Sequence, residues 1–182
     1  MLLPLLLAST PVQAHPAAAS AVLLDIGRDT VHVELQIPRD QLDLALEASG
    51  SPEPADYLDQ HVALIRPDGT ALIHDALTLD QGLVDGQPHL LAATTFRTPD
   101  GSPVGPFQVH DDAVLHQVVS HRTYVTVRRD PWSPDAQEGR LAGVIRYLRP
   151  SVDVDREPVS RFGLFADAVQ LGAEHLLGGW DH

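Results

Sequence analysis

The stretch TVHVELQI, residues 30–37, alternates apolar and polar side chains without a break. Val31, Val33, Leu35 and Ile37 fall on one face, and His32, Glu34 and Gln36 on the other. A period of two belongs to a β-strand with one buried and one wet face, the pattern of an antiparallel sheet. Residues 21–26 supply a neighbouring strand, and Gly27-Arg28-Asp29 the turn between the two. His32 lands on the wet side and reads as a solvated histidine. Pro38 closes the run. Beyond it, residues 39–46 take helical spacing, with Leu42, Ala45 and Leu46 on one face and Asp40 near the start. Pro54 opens a second short helix through residues 55–58.

Strands continue downstream. Residues 61–66 and 70–79 flank Pro67-Asp68-Gly69, a strong turn signal. Residues 89–97, 106–110, 113–127 and 140–148 follow. The run 113–127 is long, and its alternation is broken: Leu115, Val119, Val125 and Val127 share a face with Gln117, His121 and Thr123. A bulge or turn near Ser120-His121 mends it. Turn signals recur roughly every ten residues, which points to a β-sandwich. The expected fold class is mainly β: an antiparallel, Ig-like β-sandwich with one or two short helices and a C-terminal apolar helix.

A chain of 182 residues buries one sizeable core. Its net charge of −13 excludes nucleic acid as a partner, because phosphate binding wants lysine and arginine. The chain has no cysteine, so disulfides, thiolate metal sites and cysteine nucleophiles are excluded. Ten histidines are left as the soft metal ligands besides Met1. No catalytic pattern stands out: there is no G-x-S-x-G elbow, no H-E-x-x-H and no phosphate-cradling glycine loop, so an enzyme is not expected.

Residues 1–14, MLLPLLLASTPVQA, read as a signal peptide with Leu2 to Ala8 as its apolar region and Val12-Gln13-Ala14 as a small-residue cleavage site. Cleavage there makes His15 the new N-terminus. A terminal histidine can chelate copper through its amine and imidazole. Pro16, which has no amide proton, denies such a site a further backbone ligand, and Ala-His-Pro also reads as a plain processing junction.

His110, Asp111, Asp112, His116 and His121 form the densest set of candidate ligands in the body of the chain. On one strand His110, Asp112 and His116 share a face, but the outer pair is then about 20 Å apart. A turn at Asp111-Asp112 is what would fold them together. Without one they are solvated loop and edge residues.

The last stretch, residues 162–182, is FGLFADAVQLGAEHLLGGWDH. Phe165, Ala168, Gly172, His175, Leu176 and Gly179 recur at spacings of three and four, one face of a helix. It brings His175, Asp181 and His182 and then stops without a C-cap, so it reads as a membrane helix cut short. The run LGAEHLLGGWDH resembles the start of the first membrane helix of the HupE/UreJ family, proteins associated with nickel or cobalt uptake. His175, Asp181 and His182 match that family's His-x5-Asp-His signature residue by residue. Many members carry a soluble β-rich domain between a signal peptide and that helix. The grouping of Tyr57, Leu58 and His61 is also similar to that domain, more loosely.

The resemblance implies the following organisation: a signal peptide at 1–14, an extracytoplasmic (periplasmic) domain at 15–148, a linker at 149–161 and a membrane helix beginning at 162–182. Residues 15–160 then lie outside the cytoplasm, and the parent protein is anchored in the membrane through its C-terminal helix. Nickel or cobalt is cargo, with no tightly bound cofactor. The resemblance implies His175, Asp181 and His182 as the metal ligands; His15, from the cleavage site, and His110 and His116, from the histidine cluster, are further candidates.

Geometry limits the motif. On a straight helix His175 and His182 share a face but sit about 10.5 Å apart along the axis, and Asp181 points roughly 120° away. One ion cannot be closed by a regular helix. Either Gly178-Gly179 unwinds, as discontinuous transporter helices do, or the residues serve successive sites. The alternative is three polar residues where a helix leaves the membrane surface. A second function class also stands: a free periplasmic copper- or metal-binding or interaction module.

Overall fold

The computed structural model describes residues 19–51, 53–131 and 139–156. Ten strands and two helices follow one another as β1 (Ser20–Ile26), β2 (Thr30–Pro38), α1 (Arg39–Ser49), α2 (Pro54–His61), β3 (Val62–Ile65), β4 (Ile73–His74), β5 (Thr78–Val84), β6 (Gln87–Arg97), β7 (Phe107–Asp111), β8 (Thr123–Arg129), β9 (Arg140–Ile145) and β10 (Ser151–Val154).

They form two sheets. The larger runs β4-β6-β2-β1-β8-β9, with β5 also on β6; the smaller runs β10-β7-β3. β1 and β2 make the expected antiparallel hairpin, with Leu24 opposite Val33 and Ile26 opposite Val31. The inward set Val31, Val33, Leu35 and Ile37 is buried, and His32 is exposed. Leu42 and Ala45 bury the inner face of α1, with Leu46 packed against the same cluster. One apolar cluster draws on both sheets and both helices: Val22, Leu24 and Val127 from the large sheet, Leu64 and Val109 from the small, Leu42 and Leu58 from the helices. Burying one such side chain is worth about 1.5–3 kcal/mol. The fold is therefore mainly β, with pairings that are antiparallel except one. β1 and β8 run parallel, with Val22 beside Val125 and Leu24 beside Val127. Such a pair needs a long crossover, and everything between Gly27 and Arg122 provides it.

Three stretches differ from the sequence expectation. Residues 113–127 are not one strand. Ala113, Val114 and Leu115 are all buried, and three adjacent buried residues cannot belong to a one-faced strand. They sit in a turn in which Val114 O accepts from the amides of Gln117 and Val118 at 3.0 and 2.9 Å. A second turn, closed by His121 N–H on Val118 O at 2.9 Å, leads into β8.

Residues 70–79 are not one strand: they hold the two-residue β4 and, from Thr78, only the first two residues of β5. The hairpin from β5 to β6 turns on Asp85-Gly86, both with positive φ (52° and 78°), the Asp-Gly turn that two-residue hairpins prefer.

Finally, β9 stops at Ile145. Arg146 and Arg149 close a tight turn by two backbone hydrogen bonds of 3.0 and 2.8 Å. β10 then forms inside the stretch read as a connection, because Val152 and Val154 alternate inward. Arg156, just past it, is buried as well. The C-terminal helix expected at 162–182 lies outside the described residues. Among the described residues no helix is long and apolar enough to cross a membrane.

Candidate functional site

A turn does follow Asp111-Asp112, and it folds part of the histidine cluster together. In β7, Phe107, Val109 and Asp111 point inward, leaving Gln108 and His110 on the outer face. β3 pairs with β7 so that Ala63 lies opposite His110 and Val62 opposite Asp111. The ladder extends one step further, where Asp112 N–H donates to His61 O at 3.2 Å. His61 and Asp112 are therefore cross-strand partners on the same outer face as His110. The turn after Asp112 then brings His116 back over them.

The side chains engage closely. His61 Nδ1 donates to Asp112 Oδ1 at 2.7 Å. His110 Nε2 faces the other carboxylate oxygen, Oδ2, at 3.8 Å. His110 Nδ1 is held by Ser151 Oγ at 3.0 Å, from the neighbouring β10. His116 Nδ1 donates to the Asp112 carbonyl at 3.1 Å, which fixes its tautomer and leaves Nε2 to accept from Tyr57 Oη at 3.4 Å. The rings of His61 and His116 stack with centroids 5.0 Å apart and planes 9° apart. Tyr57, from α2, closes the inner side at 4.4 Å from the His61 ring.

Burial raises the Tyr57 phenol well above its ordinary range, and the nearby Asp112 and Asp111 add to the shift. Tyr57 therefore stays a proton donor. Burial likewise raises the Asp111 carboxyl, against hydrogen bonds from Ala113 N–H and Thr123 that favour its charged form. On the outer side the site is open, with side-chain exposures of 24% for His61, 31% for His110 and 39% for Asp112.

His121 does not belong to the cluster, and it is not a solvated edge residue. It is 3% exposed and tethers two elements, Nε2 meeting Ser20 Oγ at 2.9 Å and Nδ1 meeting Gln41 Oε1. Desolvation lowers its pKa to about 4, with the charge of Asp40 opposing. This histidine is a neutral core tie between the start of β1 and α1.

No family model matches the chain, and no curated protein matches it.

Of the sequence-predicted ligands, His110 and His116 lie in the cluster, one facing Asp112 and the other turned to Tyr57. His15, His175, Asp181 and His182 lie outside the described residues. Among the described residues no three or more histidine or acidic side chains stand ready, as placed, to hold an ion. Sequence reading grouped His61 with Tyr57 but not with Asp112. The link between them is a register between strands some fifty positions apart, and no local spacing encodes that. The available signal was that one expected strand opens at His61 and that Asp112 shortly follows another.

Proposed function

We propose that this chain is the extracytoplasmic head and first membrane segment of a HupE/UreJ-like nickel or cobalt transport protein. The observation that carries the reading is the run LGAEHLLGGWDH, whose His175, Asp181 and His182 match the family's His-x5-Asp-His signature in an apolar sequence with helical spacing, after a β-rich head. Ionisable residues in such a stretch are costly unless they serve a function, and imidazole with carboxylate suits divalent nickel or cobalt by ligand type. In this reading residues 1–14 direct export, the head is an Ig-like β-sandwich outside the cytoplasm, and the stretch from 162 engages the bilayer. The metal is cargo, and no covalent chemistry is performed. The outward-facing imidazoles of the head suit a periplasmic surface that meets metal ions before the membrane does.

The test is metal accumulation by cells expressing the gene in full. Uptake of nickel or cobalt above the control, lost on His175→Ala or His182→Ala with the protein still in the membrane fraction, is the expected result. Recovery of the protein in the soluble periplasmic fraction, with no metal-uptake phenotype, would refute the reading and favour a free periplasmic module.

A further inference from the structure

We infer that His61, His110 and Asp112 form a transition-metal site on the outer face of the head, in which a divalent ion takes the place of the His61 Nδ1 proton that now points at Asp112, that proton passing to water or to Nε2 of the same ring. The argument is one of placement. His110 and Asp112 are two apart, so they project from the same face, about 6.6 Å apart along the chain. His61 stands directly across from Asp112 on the adjacent chain segment. His110 near the end of β7, Asp112 just past it and His61 just before β3 thus bring two imidazoles to the two oxygens of one carboxylate.

The distances bracket what an ion needs. Ligands about 2.1 Å from one metal stand roughly 3.0–3.4 Å from each other. His61 Nδ1 is 2.7 Å from one Asp112 oxygen, and His110 Nε2 is 3.8 Å from the other. Opening the first gap and closing the second takes about half an ångström each, within side-chain rotation.

The surroundings suit the role. Ser151 engages His110 Nδ1 and leaves Nε2 as the ligating nitrogen, the outer arrangement that ligand histidines usually show. His116, with both nitrogens committed to Asp112 O and Tyr57, acts as a positioning residue, bracing the His61 ring by stacking. The open rim leaves room for water to complete the coordination. Two imidazoles and one carboxylate suit nickel, cobalt, copper or zinc, without selecting among them. The inference stands on the geometry of the head and does not depend on the transport reading.

The experiment is a calorimetric titration of the full 182-residue chain with Ni²⁺ at pH 7.5. The background carries His15→Ala, His175→Ala and His182→Ala, so that only the head is read. One saturable site is expected. His110→Ala and Asp112→Asn should each weaken it at least tenfold, whereas His116→Phe, which keeps a stacking ring, should weaken it less than threefold. With Co²⁺ in place of Ni²⁺, the ring protons of His61 and His110 should show the largest paramagnetic shifts. Absence of saturable binding up to millimolar metal overturns the inference, as does binding that survives His110→Ala. Because His110 sits on the wet face of its strand, that variant decides the matter even if His61→Ala unfolds the protein. Cellular uptake plays no part in this readout, so it can succeed or fail independently of transport.

Discussion

Tyr57 and His116 form a hydrogen-bonded pair in which a buried hydroxyl has one partner, the Nε2 of a histidine whose other nitrogen is fixed on Asp112 O. The pair ties α2 to the turn after β7. His116→Phe keeps the ring over His61 but strands the hydroxyl of Tyr57, a residue that is 2% exposed. An unpaired buried donor costs about 1–3 kcal/mol, and at 3.4 Å the lower end applies. Tyr57→Phe in the same background removes the stranded group and should restore part of the loss. A double-mutant cycle by urea unfolding should therefore give a coupling of about 1 kcal/mol. A coupling near zero would mean that the pair is only a contact.

His121 gives the head an acid-sensitive tie. Its folded pKa, about 4, lies below the ordinary histidine value of 6.5, so between those pH values the unfolded chain binds the extra proton. Stability should be fully present above pH 6.5, fall as the pH drops toward 4, and change no further through this group below that. The total is about 3 kcal/mol at most. His121→Gln, neutral throughout, should flatten that slope. Chemical unfolding at pH 7.5, 5.5 and 4.5 reads it directly, and a slope unchanged by the substitution would assign the acid sensitivity elsewhere.

Arg156 ends the described chain in a buried fork. Its Nε and Nη2 reach the two oxygens of Asp130 at 3.1 and 2.6 Å, and Nη1 donates to Val104 O. Both side chains are at most 2% exposed. Removing one partner leaves the other charge buried, which typically costs 3–5 kcal/mol. Arg156→Ala and Asp130→Ala should each destabilise by about that much, and the double variant by clearly less than their sum. Thermal unfolding of the two single variants and the double measures it, and strict additivity would refute a coupled pair.

Parts of this architecture were open to sequence reading for a definite reason. Residues 31–37 and 42–46 advertise themselves because one face of each meets the core and the other meets water, so their period is written in side-chain polarity. The stretch 113–121 hides its structure because Ala113, Val114 and Leu115 are buried together in a turn, and burial without a period looks like a strand with errors. β10 hides for another reason: its Ser-Val-Asp-Val alternation lasts only four residues, too short to stand out between Pro150 and the charged Asp155-Arg156. At the site, the turn after Asp112 entered the sequence reading only as a condition for bringing His110 and His116 together, and its residues did not announce it. The partnership of Asp112 with His61 depends on how β3 and β7 align, and only the folded chain states it. The same holds for His121, whose burial comes from Ser20 and Gln41, both remote in sequence.

At Gly143 the two sheets pack closely against each other. It lies in β9 opposite Val125, beside a register shift in the β8–β9 ladder. A Cβ built at this position would meet both methyls of Val152 in β10 at 2.9 Å. Val152 is buried and β-branched, so its χ1 has little freedom to yield. Gly143→Ala should therefore push β10 off β9 and destabilise the head by about 1–3 kcal/mol, the usual cost of overpacking. Since β10 carries Ser151, the displacement should also loosen His110 and weaken metal binding there. Val152→Ala opens the space that the new methyl needs, so Gly143→Ala with Val152→Ala should be more stable than additivity predicts. Denaturant unfolding of the three variants checks the packing, and nickel titration of Gly143→Ala checks the link to the site. Full additivity would show that the sheets do not meet at this pair.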